Sequence, residues 1–198
     1  MPTKPTGLRV YLAGPEVFLL NAEEVARAKI AACAAHGFVG ISPSDNDIDI
    51  SGYAKHEAAL RIAAANEEMI RRCDLVIANL TPFRGPSADV GTAYEIGFAR
   101  SLARPVFAYT NLAGTLLERM RETPGGVNER ASGRWEDRER MAIEDFDGFD
   151  NLMLIGALEG GAPVQVRDVS HDQRFSDLRG FEACLILAAR RFGFDKRP

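Results

Sequence analysis

Three acids and a phenol are the residues of this chain whose type and placement could do chemistry. Glu95 lies within Asp89-Val-Gly-Thr-Ala-Tyr-Glu-Ile-Gly-Phe-Ala99, where a Gly/Pro loop gives way to a helical pattern. Asp74 opens the apolar run Leu75-Val-Ile-Ala-Asn-Leu80, and Tyr11 lies in the β-rich run Leu8-Arg-Val-Tyr-Leu-Ala-Gly14. Carboxyl groups gathered at one site can divide labour: one stabilises and captures a developing positive charge, while another passes a proton to a leaving group. Each residue also has a purely structural use. Thr92-x-x-Glu95 fits a capping box, an Asp beside a strand can accept hydrogen bonds from a nearby backbone, and an isolated Tyr in an apolar run can be core with a satisfied hydroxyl.

The elements that must position these residues alternate. Leu8–Gly14 reads as a strand closed by Gly14-Pro15, and Asn21–His36 as a helix with Asn21 and Glu24 at capping-box spacing and Gly37 as its stop. Phe38–Ser42 reads as a strand, Pro43–Gly52 as a loop, Ala54–Arg72 as a helix, and Asp74–Leu80 as a strand apolar enough to be covered on both faces. Thr92–Leu102 is predicted helical and Pro105–Thr110 extended. Asn151–Gly156 and Val164–Asp168 read as further strands, and Ser176–Phe192 as a closing helix. Strand–helix alternation predicts an α/β fold with a right-handed, doubly wound parallel sheet, whose ligands bind at the carboxyl ends of the strands. Such a fold is expected to bring Asp74, Asp89 and Glu95 to one sheet edge, with Tyr11 and the Gly14-Pro15 turn. Residues 114 to 147 break the rhythm, being rich in Arg and Glu around Pro124-Gly-Gly126. They are expected to form either a functional lid or a solvated excursion.

Bulk properties narrow the class. At 198 residues the chain is expected to be one domain, residues 1–198, carrying that insertion. Hydrophobic residues at 46% and charged residues at 26% describe a globular protein rather than a disordered one. A net charge of −4 argues against a nucleic-acid binder and for a small substrate. Cys33, Cys73 and Cys184 are far apart, with no CxxC pair and no His at ligand spacing, so neither a disulfide framework nor a metal site is expected. The N-terminus lacks an apolar signal region and no run of ~18 apolar residues occurs, which predicts a cytoplasmic protein without membrane partners.

Four segments, taken in order, resemble the nucleoside 2-deoxyribosyltransferase family, above all its purine-using and protozoal-type branches: Tyr11–Phe18 (YLAGPEVF), Cys73–Gly85 (CDLVIANLTPFRG), Asp89–Gly97 (DVGTAYEIG) and Phe149–Leu154 (FDNLML). The resemblance implies a flavodoxin-like fold, no metal or organic cofactor, and ping-pong transfer of 2-deoxyribose between nucleobases in nucleoside salvage. By position it implies that Glu95 is the nucleophile, that Asp74 handles the proton of the departing and arriving base, and that the Tyr11 hydroxyl orients the nucleophile. It also implies that Asp89 holds the sugar hydroxyls, with Gly14, Gly91 and Phe18 lining the substrate site. Asn151 resembles an Asn that a neighbouring subunit lends to the sugar site, so a homo-oligomer, dimer or hexamer, is expected. The partners implied are nucleosides and free nucleobases.

The chemistry agrees. Glycosidic C–N cleavage develops oxocarbenium character, a carboxylate below the anomeric carbon can capture it as an ester, and absence of the 2-hydroxyl makes the cation easier to form. Two readings compete. A nucleoside 5′-monophosphate N-glycosidase would share the nucleophile and use Arg84 and Ser87 for phosphate, and a non-catalytic nucleotide-binding module would tolerate loss of Glu95. Gly91-Thr-Ala-Tyr-Glu95 half matches the PGGxGTxxE signature of phosphoribohydrolases but lacks the preceding Pro-Gly-Gly. Without GxGxxG after the first strand a dinucleotide enzyme is disfavoured, and without GxxxxGK[ST] a P-loop is excluded.

Overall fold

The computed structural model describes residues 7–46 and 48–193. Five strands, β1 (Arg9–Ala13), β2 (Val39–Ile41), β3 (Leu75–Asn79), β4 (Val106–Thr110) and a short last strand at Val164–Gln165, form one sheet in the order β2-β1-β3-β4-last, and every pair is parallel. This is the flavodoxin-like arrangement, in which strand order reverses beside β1 and opens a crevice at the carboxyl ends of β1 and β3. β3 and β4 are buried at every position, as their continuous apolar sequences require.

Alternate residues feed two cores. Val10, Leu12, Leu75, Ile77, Phe107 and Tyr109 pack with Cys33 of α1 (Ala22–Ala35) and with Phe181 and Leu185 of the C-terminal helix, Arg179–Arg191. Tyr11, Ala13, Val76, Ala78 and Ala108 face the other way. They meet Ile70 of α2 (Lys55–Arg72), Ile96 and Ala99 of α3 (Val90–Ser101), and Leu154 and Ala157. A parallel strand places successive side chains on opposite faces, so the residue number of Tyr11 already assigns it to the α3 side.

Several expected elements differ. Asn151–Gly156, expected as a strand, is instead helical, with Asn151 as the N-cap of a helix over Leu152–Ala157: the Asn151 side chain accepts the Met153 N–H, and Leu154 and Ala157 are buried at helical spacing. A short apolar run cannot by itself distinguish the two periods. Val164–Asp168 narrows to Val164–Gln165. Asn21 does begin α1, but its side chain makes no capping bond. The insertion is ordered by α4 (Leu116–Arg121), which opens with a reciprocal Thr115/Glu118 capping box, and by an antiparallel ladder between β5 (Asn128–Glu129) and β6 (Trp135–Glu136). With these in place the helix at Leu152–Ala157 is α5, the strand at Val164–Gln165 is β7, and the helix at Arg179–Arg191 is α6.

A buried polar knot ties the insertion to the loop between β3 and α3. Arg119 of α4 donates to the carbonyls of Pro86 (2.6 Å), Gly114 (3.1 Å) and Phe149, and its guanidinium lies 3.8 Å from Asp150. Asp150 accepts from the Ser87 hydroxyl and from the backbone N–H groups of Ala88 (2.9 Å) and Asn151 (2.8 Å). The loop that delivers Asp89 to α3 is thereby held from below. Breaking such a knot on one side leaves a buried cation uncompensated, so Asp150→Ala should lower the unfolding free energy by about 3–5 kcal/mol in urea titrations. A loss below about 1 kcal/mol would mean that the pair behaves as an exposed one.

Candidate active site

The side chain with the least reason to be where it is belongs to Glu95. Asp89 is the N-cap of α3, and its Oδ2 accepts from the Thr92 N–H (2.9 Å) and hydroxyl (3.1 Å). Thr92 is therefore inside the helix rather than its cap, Glu95 falls in the second turn, and the capping-box use of Glu95 does not occur. Thr92, Ile96 and Ala99 are buried, and Glu95 shares their stripe against the sheet. There the Tyr11 hydroxyl, rising from the middle of β1, donates to Glu95 Oε1 at 2.6 Å.

Burial is the main reason that the Glu95 carboxyl is pushed up to about 7. The Tyr11 hydrogen bond opposes the shift, while the negative charges of Asp89 and Glu16 add to it. Tyr11 is itself driven well above its ordinary value, first by burial and then by Glu95, so it remains a protonated donor. A carboxyl poised near neutrality, steered by a phenol that cannot ionise, is suited to nucleophilic attack.

Around this pair the structure gathers most of the other expected residues. Asp89 uses one oxygen for the helix and leaves Oδ1 without a partner among the described residues. A Cβ on Gly91 would come within 3.0 Å of Asp89 Oδ2, and one on Gly14 would lie 1.9 Å from Glu16 Oε2, so both glycines leave room for a carboxylate. Phe18, 57% exposed in the 3-10 turn Pro15–Phe18 after β1, stacks on Phe83 with centroids 5.3 Å apart. The Arg84 guanidinium lies over both rings, 5.1 Å from Phe18 and 4.6 Å from Phe83. An aromatic wall thus follows the carboxyl ends of β1 and β3.

Asp74 is a correction. It directly precedes β3, and its Oδ2 accepts the backbone N–H of Arg9, the first residue of β1, at 2.7 Å. In a parallel sheet a residue that begins a strand stands at the amino edge, across the sheet from the crevice. It is also absent from the charges that act on Glu95, which are those of Asp89 and Glu16. The chain direction already carried this information, since Asp74 precedes its strand and ligands of such sheets bind where strands end, and the grouping of Asp74 with Glu95 and Asp89 overlooked it. Asn151 is not joined to Tyr11 and Glu95 within one chain either. It is exposed at the start of α5, where its Oδ1 accepts from Met153 N and its Nδ2 donates to Glu144 Oε1 at 2.7 Å.

Sequence reasoning missed Glu16. This buried carboxylate accepts from Lys29 of α1, from Asn79 Nδ2 (2.7 Å) at the end of β3 and from the Tyr109 hydroxyl (3.0 Å) of β4. A signal was present: Lys29 sits between Val25 and Cys33 at core spacing on α1, and a cation there requires a buried anion.

Residues 10–153 match the family model described as nucleoside 2-deoxyribosyltransferase. The chain belongs to that family. A 2-desoxiribosyltransferase from Leishmania mexicana is similar in structure, with a TM-score of 0.59 and 29% identity, covering 86% of this chain and 96% of that one. A conserved protein from Enterococcus faecalis V583 shares the fold at a TM-score of 0.52 and 22% identity, over 92% of this chain and 99% of its own. In sequence, an uncharacterized protein of Schizosaccharomyces pombe is 29% identical over 182 residues, 84% of each chain. Among the described residues no helix of this family member is long and apolar enough to cross a membrane.

The raised Glu95 carboxyl has a consequence for stability. The folded protein holds a proton that the unfolded chain releases near pH ~4.3, so stability falls as pH rises from there through about 7. A shift of that size corresponds to roughly 3 kcal/mol. Glu95→Gln should therefore raise the melting temperature at pH 8 and leave it nearly unchanged at pH 4, as read by calorimetry. Equal effects at both pH values would contradict the burial of an ionising carboxyl.

Proposed function

We propose that this protein transfers 2-deoxyribose between nucleobases by a retaining double displacement in which Glu95 is the nucleophile. The observation that carries the proposal is the hydrogen bond from Tyr11 to a carboxyl that lies on the core stripe of α3 at the topological switch point. In the first half-reaction a Glu95 oxygen attacks the anomeric carbon. A C–O ester bond forms, the C–N bond breaks, and its electron pair leaves on the base nitrogen, which takes up a proton. In the second, the nitrogen of an incoming base attacks the same carbon, gives up its proton, and frees the carboxylate. The oxocarbenium-like states between them are stabilised by Glu95 and by the neighbouring charge of Asp89. The proton on the departing base is taken from solvent and that of the incoming base is returned to solvent, Asp74 being bound to the Arg9 N–H at the opposite edge of the sheet. Asp89 Oδ1 is placed to accept a sugar hydroxyl, and Phe18 to cover a planar base.

Hydrolysis of a nucleoside 5′-monophosphate fits less well. The Ser87 hydroxyl is committed to Asp150, and the N-terminus of α3, where a phosphate would gain most, is already occupied by the carboxylate of Asp89.

The same reading includes assembly. An apolar groove of about 690 Å³ runs between α3 and α5, lined by Val90, Ala93, Ile96, Leu152 and Met153, with Asn151 at its rim. Val90 is 84% exposed and Met153 73%. A second copy covering this groove would bring its Asn151 towards the first copy's α3, in keeping with a shared sugar site in a homo-oligomer.

Incubation with deoxyinosine and free adenine should yield deoxyadenosine and hypoxanthine, followed by chromatography, and Glu95→Ala should lose this exchange by at least ~10³-fold. Exchange that survives the substitution, or turnover only of the 5′-phosphorylated nucleoside, would refute the proposal.

A further inference from the structure

At the edge that carries Tyr11 and Glu95 the buried carboxylate of Glu16 is bonded to three elements of the fold. One oxygen, Oε1, takes hydrogen bonds from α1 (Lys29 Nζ), β3 (Asn79 Nδ2, 2.7 Å) and β4 (Tyr109 hydroxyl, 3.0 Å). Lys29 Nζ lies in turn 5.4 Å from the Tyr109 ring centroid and 5.2 Å from that of Phe181. Asn79 passes the network on: its Oδ1 accepts from the Thr81 N–H (2.9 Å) and hydroxyl (2.6 Å), and Thr81 Oγ1 accepts from Asn111 N (2.9 Å). The chain of bonds crosses the carboxyl ends of β1, β3 and β4, the edge that also carries the candidate site. The other oxygen, Oε2, fills the space above Gly14 that a side chain there would occupy.

A buried Lys–Glu pair contributes little net stability compared with apolar residues of the same volume. What it does supply is a fixed position and a fixed charge. We propose that Glu16 is a positioning residue for deoxyribosyl transfer: locked by Lys29, Asn79 and Tyr109, it sets the Gly14–Phe18 segment over the crevice, and its carboxylate, fixed on the same sheet edge, acts on Glu95. The proposal rests on Glu95 being the nucleophile. A negative charge held there favours the cationic sugar as it forms, without reorganising during the reaction.

The groups facing Glu95 are Tyr11 from β1, Asp89 from the start of α3, and Glu16 from the turn after β1. Glu16 and Asp89 both raise its carboxyl pKa, whereas the Tyr11 hydrogen bond lowers it. The groups facing Glu16 are Lys29, Asn79 and Tyr109, with Tyr109 kept protonated chiefly by burial. Cys184 of α6 lies near the cluster as a thiol pushed up to about 12, also by burial. Removing the charge of Glu16 should therefore lower the pKa of Glu95.

Two variants test this. Glu16→Gln keeps the shape and removes the charge. Glu16→Gln combined with Lys29→Met also removes the ammonium that would otherwise be left buried and unpaired, so it folds where the single variant fails. The first readout is the titration of Glu95 by carboxyl 13C NMR on the free protein, which needs no turnover. The second is the pH profile of kcat/KM for base exchange. Both variants are expected to titrate Glu95 at lower pH than the parent, to move the acidic limb of the profile with it, and to lose about tenfold or more in kcat above that limb. A folded double variant with the parent's Glu95 titration and the parent's kcat, changed only in melting temperature, overturns the proposal. A lowered Glu95 titration in a protein that exchanges no bases supports the action of Glu16 on Glu95 and refutes the transferase reading alone.

Discussion

A carboxyl group held out of water is the constraint around which this molecule is arranged. Ionising Glu95 on the core side of α3 is unfavourable because the sheet and helix shield it from solvent, and among the described residues the hydrogen bond that offsets the penalty comes from Tyr11, a donor kept protonated by its own burial. The remaining features of the edge follow from the need to keep that pair in register. β1 is pinned on both sides by parallel partners, so the Tyr11 hydroxyl cannot drift. Asp89 fixes where α3 begins, and with it the turn on which Glu95 falls. The Arg119–Asp150 knot holds the loop that leads into Asp89.

The charges at the edge are uneven by construction. Asp89 and Glu16 both crowd Glu95 with negative potential, yet the two are held differently. Asp89 spends one oxygen on the N–H and hydroxyl of Thr92 at the start of a helix, where a carboxylate is favoured by the helix dipole. Glu16 is paired with Lys29 and fastened by two strand residues. An electrostatic environment made of fixed carboxylates suits a reaction whose transition state carries positive charge on a sugar, and suits poorly one that must hold an anionic phosphate. The proposal of a neutral nucleoside rather than a nucleotide as substrate draws on that asymmetry.

How much of this could be read from the chain depends on what kind of information each residue carries. The alternating strands and helices announced the doubly wound sheet, because Leu75–Asn79 and Val106–Thr110 are apolar at nearly every position and separated by a segment of helical pattern. Glu95 and Tyr11 stood out through the company the fold gives them and through the resemblance of their segments to the family, because Thr92-x-x-Glu95 by itself fits a capping box and an isolated Tyr fits the core. Asp74 misled although its place before β3 already put it at the amino edge, away from the crevice, and its bond to the Arg9 N–H agrees with that placement. α5 misled because Leu-Met-Leu-Ile satisfies both periods, and the Asn151 cap breaks the tie. Glu16 escaped notice because its partners, Lys29, Asn79 and Tyr109, are 13, 63 and 93 residues away, and only the folded sheet brings them to one oxygen.

The covalent bond at Glu95 is the central claim, and it can be sought directly. The protein is incubated with a deoxynucleoside in the absence of an acceptor base, quenched in acid, digested and mapped by mass spectrometry. A deoxypentosyl mass added to the peptide containing Glu95, and discharged when a free base is supplied before the quench, is the predicted result. Base exchange proceeding at full rate with no adduct on that peptide, or with the adduct on a different residue, would contradict the account.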